Sequence, residues 1–292
     1  MGRVKGILYA ALSSSTFGLV PFFTIMLLIV GFSTFELLAY RCGVAAIVML
    51  LVGWLSGNSF RLTKKEFGVV FLLSLFCAIT AFSLVIAYQN IASGVASTIH
   101  FMYPLAVALA MMFFFKEKKS IWVIVAVMMS LLGAFFLSSG DLSSKNGNTF
   151  LGIMAACVSV FSYAAYIIGV RKTRAVQIHS TVLTCYVMGI GTVFYIIGAL
   201  CTSGLHLVTD GYTWLMILGL ALPATAISNI ALVLAIKHVG PTLTAIFGAL
   251  EPLTAVIIGV WIFKEAFTEK SVIGIMLIVI AVCIVVLREK KR

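Results

Sequence analysis

The chain has 292 residues, 62% of them hydrophobic and 10% charged, and a mean hydropathy of +1.19. Soluble domains carry roughly a quarter of their residues as charge, so this composition excludes a water-soluble enzyme or nucleic-acid-binding domain and points to an integral membrane protein. The net charge of +11 would suggest a nucleic-acid partner in a soluble chain, but here it follows from where the cations fall along the spans.

A lipid-spanning helix needs about 20 mostly apolar residues. Ten such stretches occur, here spans 1 to 10: residues 4–30, 33–56, 66–89, 92–115, 119–138, 149–170, 178–203, 211–236, 240–263 and 269–287. The fold class read from them is all-α integral membrane. The apolar run from Val4 to Val30 is longer than the roughly 7–15 residues of a signal-peptide core, so it is read as span 1. The longest connection, Ser138 to Asn148, leaves no room for a soluble domain. With the N-terminus inside, sixteen of the twenty Lys and Arg residues fall in cytoplasmic segments. Lys145, Lys264 and Lys270 fall outside, and Arg41 lies within span 2. The positive-inside rule then places both termini in the cytoplasm.

In chain order, span 1 carries Ser13, Thr16 and Phe17 at i, i+3 and i+4, hence on one helix face, followed by Pro21. Span 2 has Glu36 in its first turn, favourable to the helix dipole, and Arg41 about 8 residues, or roughly 12 Å of rise, from its outer end. Both are read as structural anchors. Span 4 holds His100 near its middle, Tyr103 one turn later and Pro104 beside it. Span 6 repeats the small-and-aromatic face of span 1 with Ser159, Ser162, Tyr163 and Tyr166. Span 8 contributes Pro223 and Asn229, and Lys237-His238 at its end are read as interface residues. Span 9 opens at Pro241, a good first-turn residue, and continues through Thr244, Phe247, Glu251 and Pro252.

An interior proline frees backbone groups that lipid cannot satisfy, so Pro21, Pro104, Pro223 and Pro252 mark helix breaks facing protein or a wet cavity. A carboxylate at mid-membrane costs roughly 2.5–3.5 kcal/mol on insertion scales, so Glu251 is expected at a cavity or a partner. Two roles stay open for it: holding a substrate ammonium, or carrying a coupling proton together with His100. The candidate substrate site is therefore Ser13, Thr16, Phe17, His100, Tyr103, Tyr163, Tyr166, Asn229, Thr244, Phe247 and Glu251. Packing by small residues and hydroxyls is the competing role for any single Ser or Thr. Cys42, Cys77, Cys157, Cys185, Cys201 and Cys283 show no metal-ligand or redox spacing and are read as packing residues, so neither metal nor cofactor is expected.

The chain looks like one unit written twice. Phe115-Lys116-Glu117 recurs as Phe263-Lys264-Glu265, and the same offset of 148 puts Ala87 on Ala235, Pro104 on Pro252, Leu105 on Leu253 and Tyr103 on Glu251. At an offset of 146, Gly6, Ile7, Ala10 and Ser13 meet Gly152, Ile153, Ala156 and Ser159. The halves are 1–140 (spans 1–5) and 141–292 (spans 6–10). Five spans per half is an odd number, so the two five-helix repeats are inverted, the architecture of a transporter. The relation is expected to bring His100 and Glu251 to opposite sides of one central space.

The stretches GILYAALSSSTFG in span 1, ASGVASTIHFMYPLAVALAMMFFFKEK through span 4 and VGPTLTAIFGALEPLTAVIIGVWIFKEAFT through span 9, the last ending in Glu265-x-x-Thr268, resemble the drug/metabolite transporter superfamily. Within it they are similar to the ten-helix EamA-type exporters, over essentially the whole chain. Phe17-Gly18 stands where many members have Trp-Gly. The resemblance implies a central cavity built from spans 1, 3, 4, 6, 8 and 9, with spans 5 and 10 at the periphery. It also implies export of a small molecule across the inner or plasma membrane.

The expected function is secondary active transport of a small polar or amphipathic metabolite, such as an amino acid or a related compound, by alternating access. Organic cations or drug-like compounds are the alternative cargo, since aromatic boxes grip cations. The absence of a deep lysine cluster argues against phosphorylated sugars. No GxSxG, HExxH or paired deep aspartates support an intramembrane enzyme, and no ring of like charges supports a channel. A non-transporting assembly protein stays open. Oligomeric state is not legible, and no nucleic acid is expected as a partner.

Overall fold

The computed structural model describes residues 2–91, 93–116, 121–137, 147–202, 204–261 and 269–289. Several residues named above lie outside these ranges: Glu117, Ser138, Lys145, the second Phe263-Lys264-Glu265 and Thr268. Among the described residues there are fourteen α-helices and no strands. They are α1 (Gly2–Phe17), α2 (Val20–Ile29), α3 (Thr34–Leu55), α4 (Lys64–Asn90), α5 (Ser93–His100), α6 (Tyr103–Phe113) and α7 (Ile121–Leu137). The second half holds α8 (Thr149–Lys172), α9 (Ser180–Leu200), α10 (Gly211–Ala221), α11 (Ser228–Val239), α12 (Pro241–Phe247), α13 (Leu250–Trp261) and α14 (Glu269–Glu289).

Among the described residues, seven helical stretches are long and apolar enough to cross a membrane: Gly2–Ile29, Thr34–Leu55, Lys64–Asn90, Val95–Phe113, Thr149–Lys172, Ser180–Leu200 and Gly211–Val239. Ile121–Gly133 and Val272–Ile284 are shorter apolar helices. Large apolar side chains such as Trp54, Leu55, Phe114 and Phe161 stand exposed on the outside of the bundle, the arrangement that hydrocarbon as solvent requires.

The helix starts are set by local chemistry. The side chains of Ser33, Thr63, Asn148 and Asp210 accept hydrogen bonds from backbone N–H groups in the first turns of α3, α4, α8 and α10, satisfying donors that have no intrahelical partner. Thr63 and Glu66 complete a reciprocal capping box. Gly240, at φ 86°, makes the corner between α11 and α12, a backbone conformation that a side chain disfavours. Pro241 then opens α12, as the first-turn reading had it.

The interior prolines sit where helices are interrupted. Pro21 and Pro104 each fall in the first two positions of a new helix, after breaks at Gly18-Leu19 and Phe101-Met102. Pro223 opens a π-helical turn, Leu222–Ile227, between α10 and α11. Pro252 lies in the first turn of α13, after the break at Gly248-Ala249. The break between α5 and α6 and the break between α12 and α13 fall within one residue of each other at the offset of 148. The break after α1 has no counterpart, because α8 is continuous.

Helix pairing follows a two-fold pattern. The most extensive contacts are α3 with α9, α4 with α8, α7 with α14, and α1 with α11. Exchanging each span for the one five later leaves the first and third pairs unchanged and swaps the other two. The ends of the bundle differ in charge. At one end Arg171 Nη1 donates to the Lys237 carbonyl at 2.7 Å, Lys237 Nζ reaches the Ile178 carbonyl, and Lys172 lies 4.9 Å from the Phe115 ring centroid. At the other end the buried Glu36 carboxylate accepts from the backbone N–H of His206 at 2.8 Å and meets its ring Nδ1 at 3.2 Å. Glu36 thus ties the segment before α10 to the start of α3, the anchoring role its position suggested.

Candidate substrate cavity

The broken helices meet around one cavity of about 100 Å³, room for several water-sized atoms at roughly 10–15 Å³ each. Its wall draws on the end of α1 and start of α2 (Phe17, Gly18, Pro21), α3 (Arg41, Cys42), α4 (Cys77, Thr80, Tyr88), α5 (Ser97, His100), α8 (Tyr163), α9 (Met188, Tyr195), the π-turn and α11 (Thr225, Asn229), and α13 (Glu251, Pro252). Most of the wall is apolar or aromatic, with one guanidinium and one carboxylate set into it. The break after α1 is pressed against α13: a Cβ on Gly18 would lie 2.6 Å from the Glu251 carbonyl oxygen and 2.5 Å from Thr254 Cβ. Only a glycine permits that approach.

Glu251 accepts a hydrogen bond from the Tyr103 hydroxyl at 3.0 Å, between two residues 148 apart. Positions that the repeat places on each other therefore touch, which sets this pair beside the two-fold relation of the halves. His100 is buried, and its Nδ1 lies 2.8 Å from Ser159 Oγ, which itself donates to the Ala156 carbonyl at 2.6 Å. With its one proton committed, the serine accepts from His100 Nδ1–H, leaving Nε2 as the second ring nitrogen. The His100 ring centroid is 5.4 Å from those of both Tyr103 and Tyr163; the two tyrosines meet edge-on at 4.7 Å, and Phe17 meets Tyr163 edge-on at 6.2 Å. His100 and Glu251 both line the cavity, and Tyr103 touches each of them.

Of the residues singled out in the sequence, Phe17, His100, Tyr163, Asn229, Glu251, Pro21 and Pro252 line the cavity, and Tyr103 adjoins it through Glu251. Others do not. Thr16 Oγ1 donates back along its own helix to the Leu12 carbonyl at 2.8 Å, and Thr244 Oγ1 likewise to Gly240 at 2.7 Å. Phe247 packs into a separate apolar cluster with Ala10 and Ala108. Ser13 and Tyr166 are buried outside the cavity wall, and Tyr166 stacks on Tyr163 with centroids 6.4 Å apart. Pro104 and Pro223 are not among the lining residues, although Phe101 and Thr225 nearby in sequence are.

Two spans join the wall beyond the six that the family resemblance implied. α3 and α9 pack closely along each other, with Gly43 against Thr192, and close one side with Arg41, Cys42, Val187, Met188, Gly191 and Tyr195. Arg41, read from sequence as an anchor, is a cavity residue only 7% exposed, and its Nε donates to Thr225 Oγ1 at 2.7 Å. Its depth was visible in the sequence; its face was not, because span 2 is apolar all round. Among the described residues, neither α7 nor α14 contributes a lining residue. Among the described residues no group of three or more His, Cys, Asp or Glu is placed to hold a metal ion.

An apolar-surfaced helical bundle closed around a small cavity with isolated charges defines a multi-pass membrane protein of the transporter class. The EamA-like transporter family matches the chain twice, at residues 4–139 and 150–287, and the chain belongs to that family. It is 28% identical over 213 residues to an uncharacterized transporter of Archaeoglobus fulgidus, covering 73% of this chain and 74% of that one. It is 25% identical to the uncharacterized inner membrane transporter YedA of Escherichia coli over 68% of this chain and 64% of that one, and 22% identical to the uncharacterized transporter YetK of Bacillus subtilis over 85% and 77%. One crystal structure superposes with a TM-score of 0.82 over 99% of this chain and 98% of that one, at 18% identity, and shares the fold. The protein is a multi-pass membrane transporter of the inner or plasma membrane.

Proposed function

We propose that this chain is a secondary active transporter that exports a small polar or amphipathic metabolite of amino-acid type by alternating access. In this reading ten spans form two inverted five-helix repeats, 1–140 and 141–292, with both termini in the cytoplasm. The single observation that carries it is Glu251: a carboxylate in the wall of a largely apolar cavity, at a helix break, held by one neutral hydroxyl. Such a group asks for a cationic partner or a proton, and a substrate ammonium or a coupling proton supplies one. The breaks beside it give the pivot points that rocking of one repeat against the other needs. His100, Tyr163, Phe17 and Asn229 complete the polar and aromatic contacts, and the aromatic wall favours organic cations as the second cargo class.

The test is flux in proteoliposomes containing the purified chain, with candidate amino acids and quaternary amines inside and an imposed pH gradient. Substrate-dependent flux that Glu251→Gln abolishes supports the reading. Flux that ignores the pH gradient and survives Glu251→Gln removes proton coupling, and absence of flux for every candidate favours an assembly role.

A further inference from the structure

We infer that Arg41 is the receptor for a carboxylate on the substrate, so that the cavity binds zwitterions carrying both an ammonium and a carboxylate rather than simple amines. This rests on the reading of the cavity as the substrate site. Arg41 is always charged and more than nine-tenths buried. Among the described residues no carboxylate oxygen lies within 4.0 Å of it. Its guanidinium makes one hydrogen bond among those residues, from Nε to Thr225 Oγ1, which leaves both η nitrogens, with four N–H donors, for a ligand.

The root of the side chain is fixed by the fold. Thr225 sits in the π-turn, where its hydroxyl donates to the Leu220 carbonyl five residues back at 2.7 Å and so presents a lone pair to Arg41 Nε. The widened turn opened by Pro223 thus orients the guanidinium, and the outer edge of the fork is the part left for the cavity that Arg41 lines. Two parallel N–H donors match the two oxygens of a carboxylate.

Glu251 stands in the same cavity wall on α13, held by Tyr103. One guanidinium and one carboxylate in a largely apolar and aromatic wall are complementary to a zwitterion whose remaining atoms are mostly apolar. An amine lacking the carboxylate leaves the guanidinium unpaired; an acid lacking the amine leaves Glu251 unpaired and adds a second negative charge. Either mismatch leaves a charge unpaired in a largely apolar cavity, where it is costly.

The experiment uses the full chain in detergent. Thermal-shift measurements against the proteinogenic amino acids identify those that bind, and titration then compares each with its decarboxylated amine and its deaminated acid. The wild-type protein is expected to bind the amine about tenfold or more weakly than the amino acid. Arg41→Gln is expected to abolish that difference, and Arg41→Lys, which keeps the charge without the fork, to reduce it. The comparison of analogues on wild-type protein needs no variant, so a poorly folding Arg41→Gln leaves the test intact. An amine that binds as well as its amino acid, or a preference that survives Arg41→Gln, overturns the inference. If amines alone bind and Glu251→Gln abolishes their binding, the carboxylate role falls while the cavity remains the site. If neither variant alters binding, both readings fall.

Discussion

Gly248 lies directly beneath the hydroxyl that Glu251 accepts from. A Cβ built there would stand 1.8 Å from Tyr103 Oη, 2.8 Å from Tyr103 Cζ and 2.8 Å from the Ala245 carbonyl oxygen. Its φ of −51° is ordinary for any residue, so the demand for glycine is steric. In Gly248→Ala the tyrosine must withdraw, giving up its 3.0 Å bond to Glu251. It has little room to do so, being 2% exposed with Tyr163 at 4.7 Å and His100 at 5.4 Å between ring centroids. With Glu251 ionised, the lost hydrogen bond is worth about 1.5–3 kcal/mol and the overpacking about 1–3 kcal/mol. In a Tyr103→Phe background the nearest obstacle is gone and no bond remains to lose, so the same substitution costs only the second amount. The cycle of wild type, two single variants and the double variant, unfolded by detergent titration in mixed micelles, should therefore show a coupling of about 1.5–3 kcal/mol. Additive costs, within about 0.5 kcal/mol, would refute the steric and hydrogen-bond account together.

Three other outcomes follow from the geometry. Thr225→Val keeps the volume but removes the acceptor of Arg41 Nε. It should cost about 1.5–3 kcal/mol of stability, read by the same titration, and weaken binding of any carboxylate ligand. At the far end of the bundle, His206→Ala should change stability by no more than about 1 kcal/mol, because the ring is 74% exposed and its charge contact is screened. Glu36→Ala should cost more than that, since it also orphans the backbone N–H of His206. Gly133→Ala should separate α7 from α14, where its Cβ would stand 2.7 Å from Ile278 Cγ1 and 2.8 Å from the Gly274 carbonyl. The expected loss is about 1–3 kcal/mol with ligand affinity unchanged, because neither helix reaches the cavity; a change in affinity would contradict that.

Much of this architecture was legible because lipid leaves few alternatives. Apolar length located the helices, and proline located the interruptions: Pro21, Pro104, Pro223 and Pro252 each accompany a break or a π-turn. The repeat offset pairs Tyr103 with Glu251, and the two are hydrogen-bonded. The place of Arg41 in the cavity wall was not legible, for a physical reason. Depth along a span follows from counting residues, but facing follows from amphipathic contrast, and α3 has almost none. The i, i+3, i+4 rule placed Ser13, Thr16 and Phe17 on one face correctly as geometry, yet only Phe17 has the reach to line the cavity, while the Thr16 hydroxyl is satisfied by its own helix. The π-turn left no signal beyond its proline, because its added width depends on what Thr225 and Leu220 do together.

A duplicated chain with strictly identical halves would place the same residue on both sides of the contact now made by Tyr103 and Glu251. Two glutamates there would set carboxylates about as close as the present 3.0 Å bond, a distance at which two negative charges share one proton instead of coexisting. Two tyrosines would leave that contact with no carboxylate. Divergence at this matched position is thus what gives a nearly symmetric frame one carboxyl group, rather than two or none, at the contact between its halves.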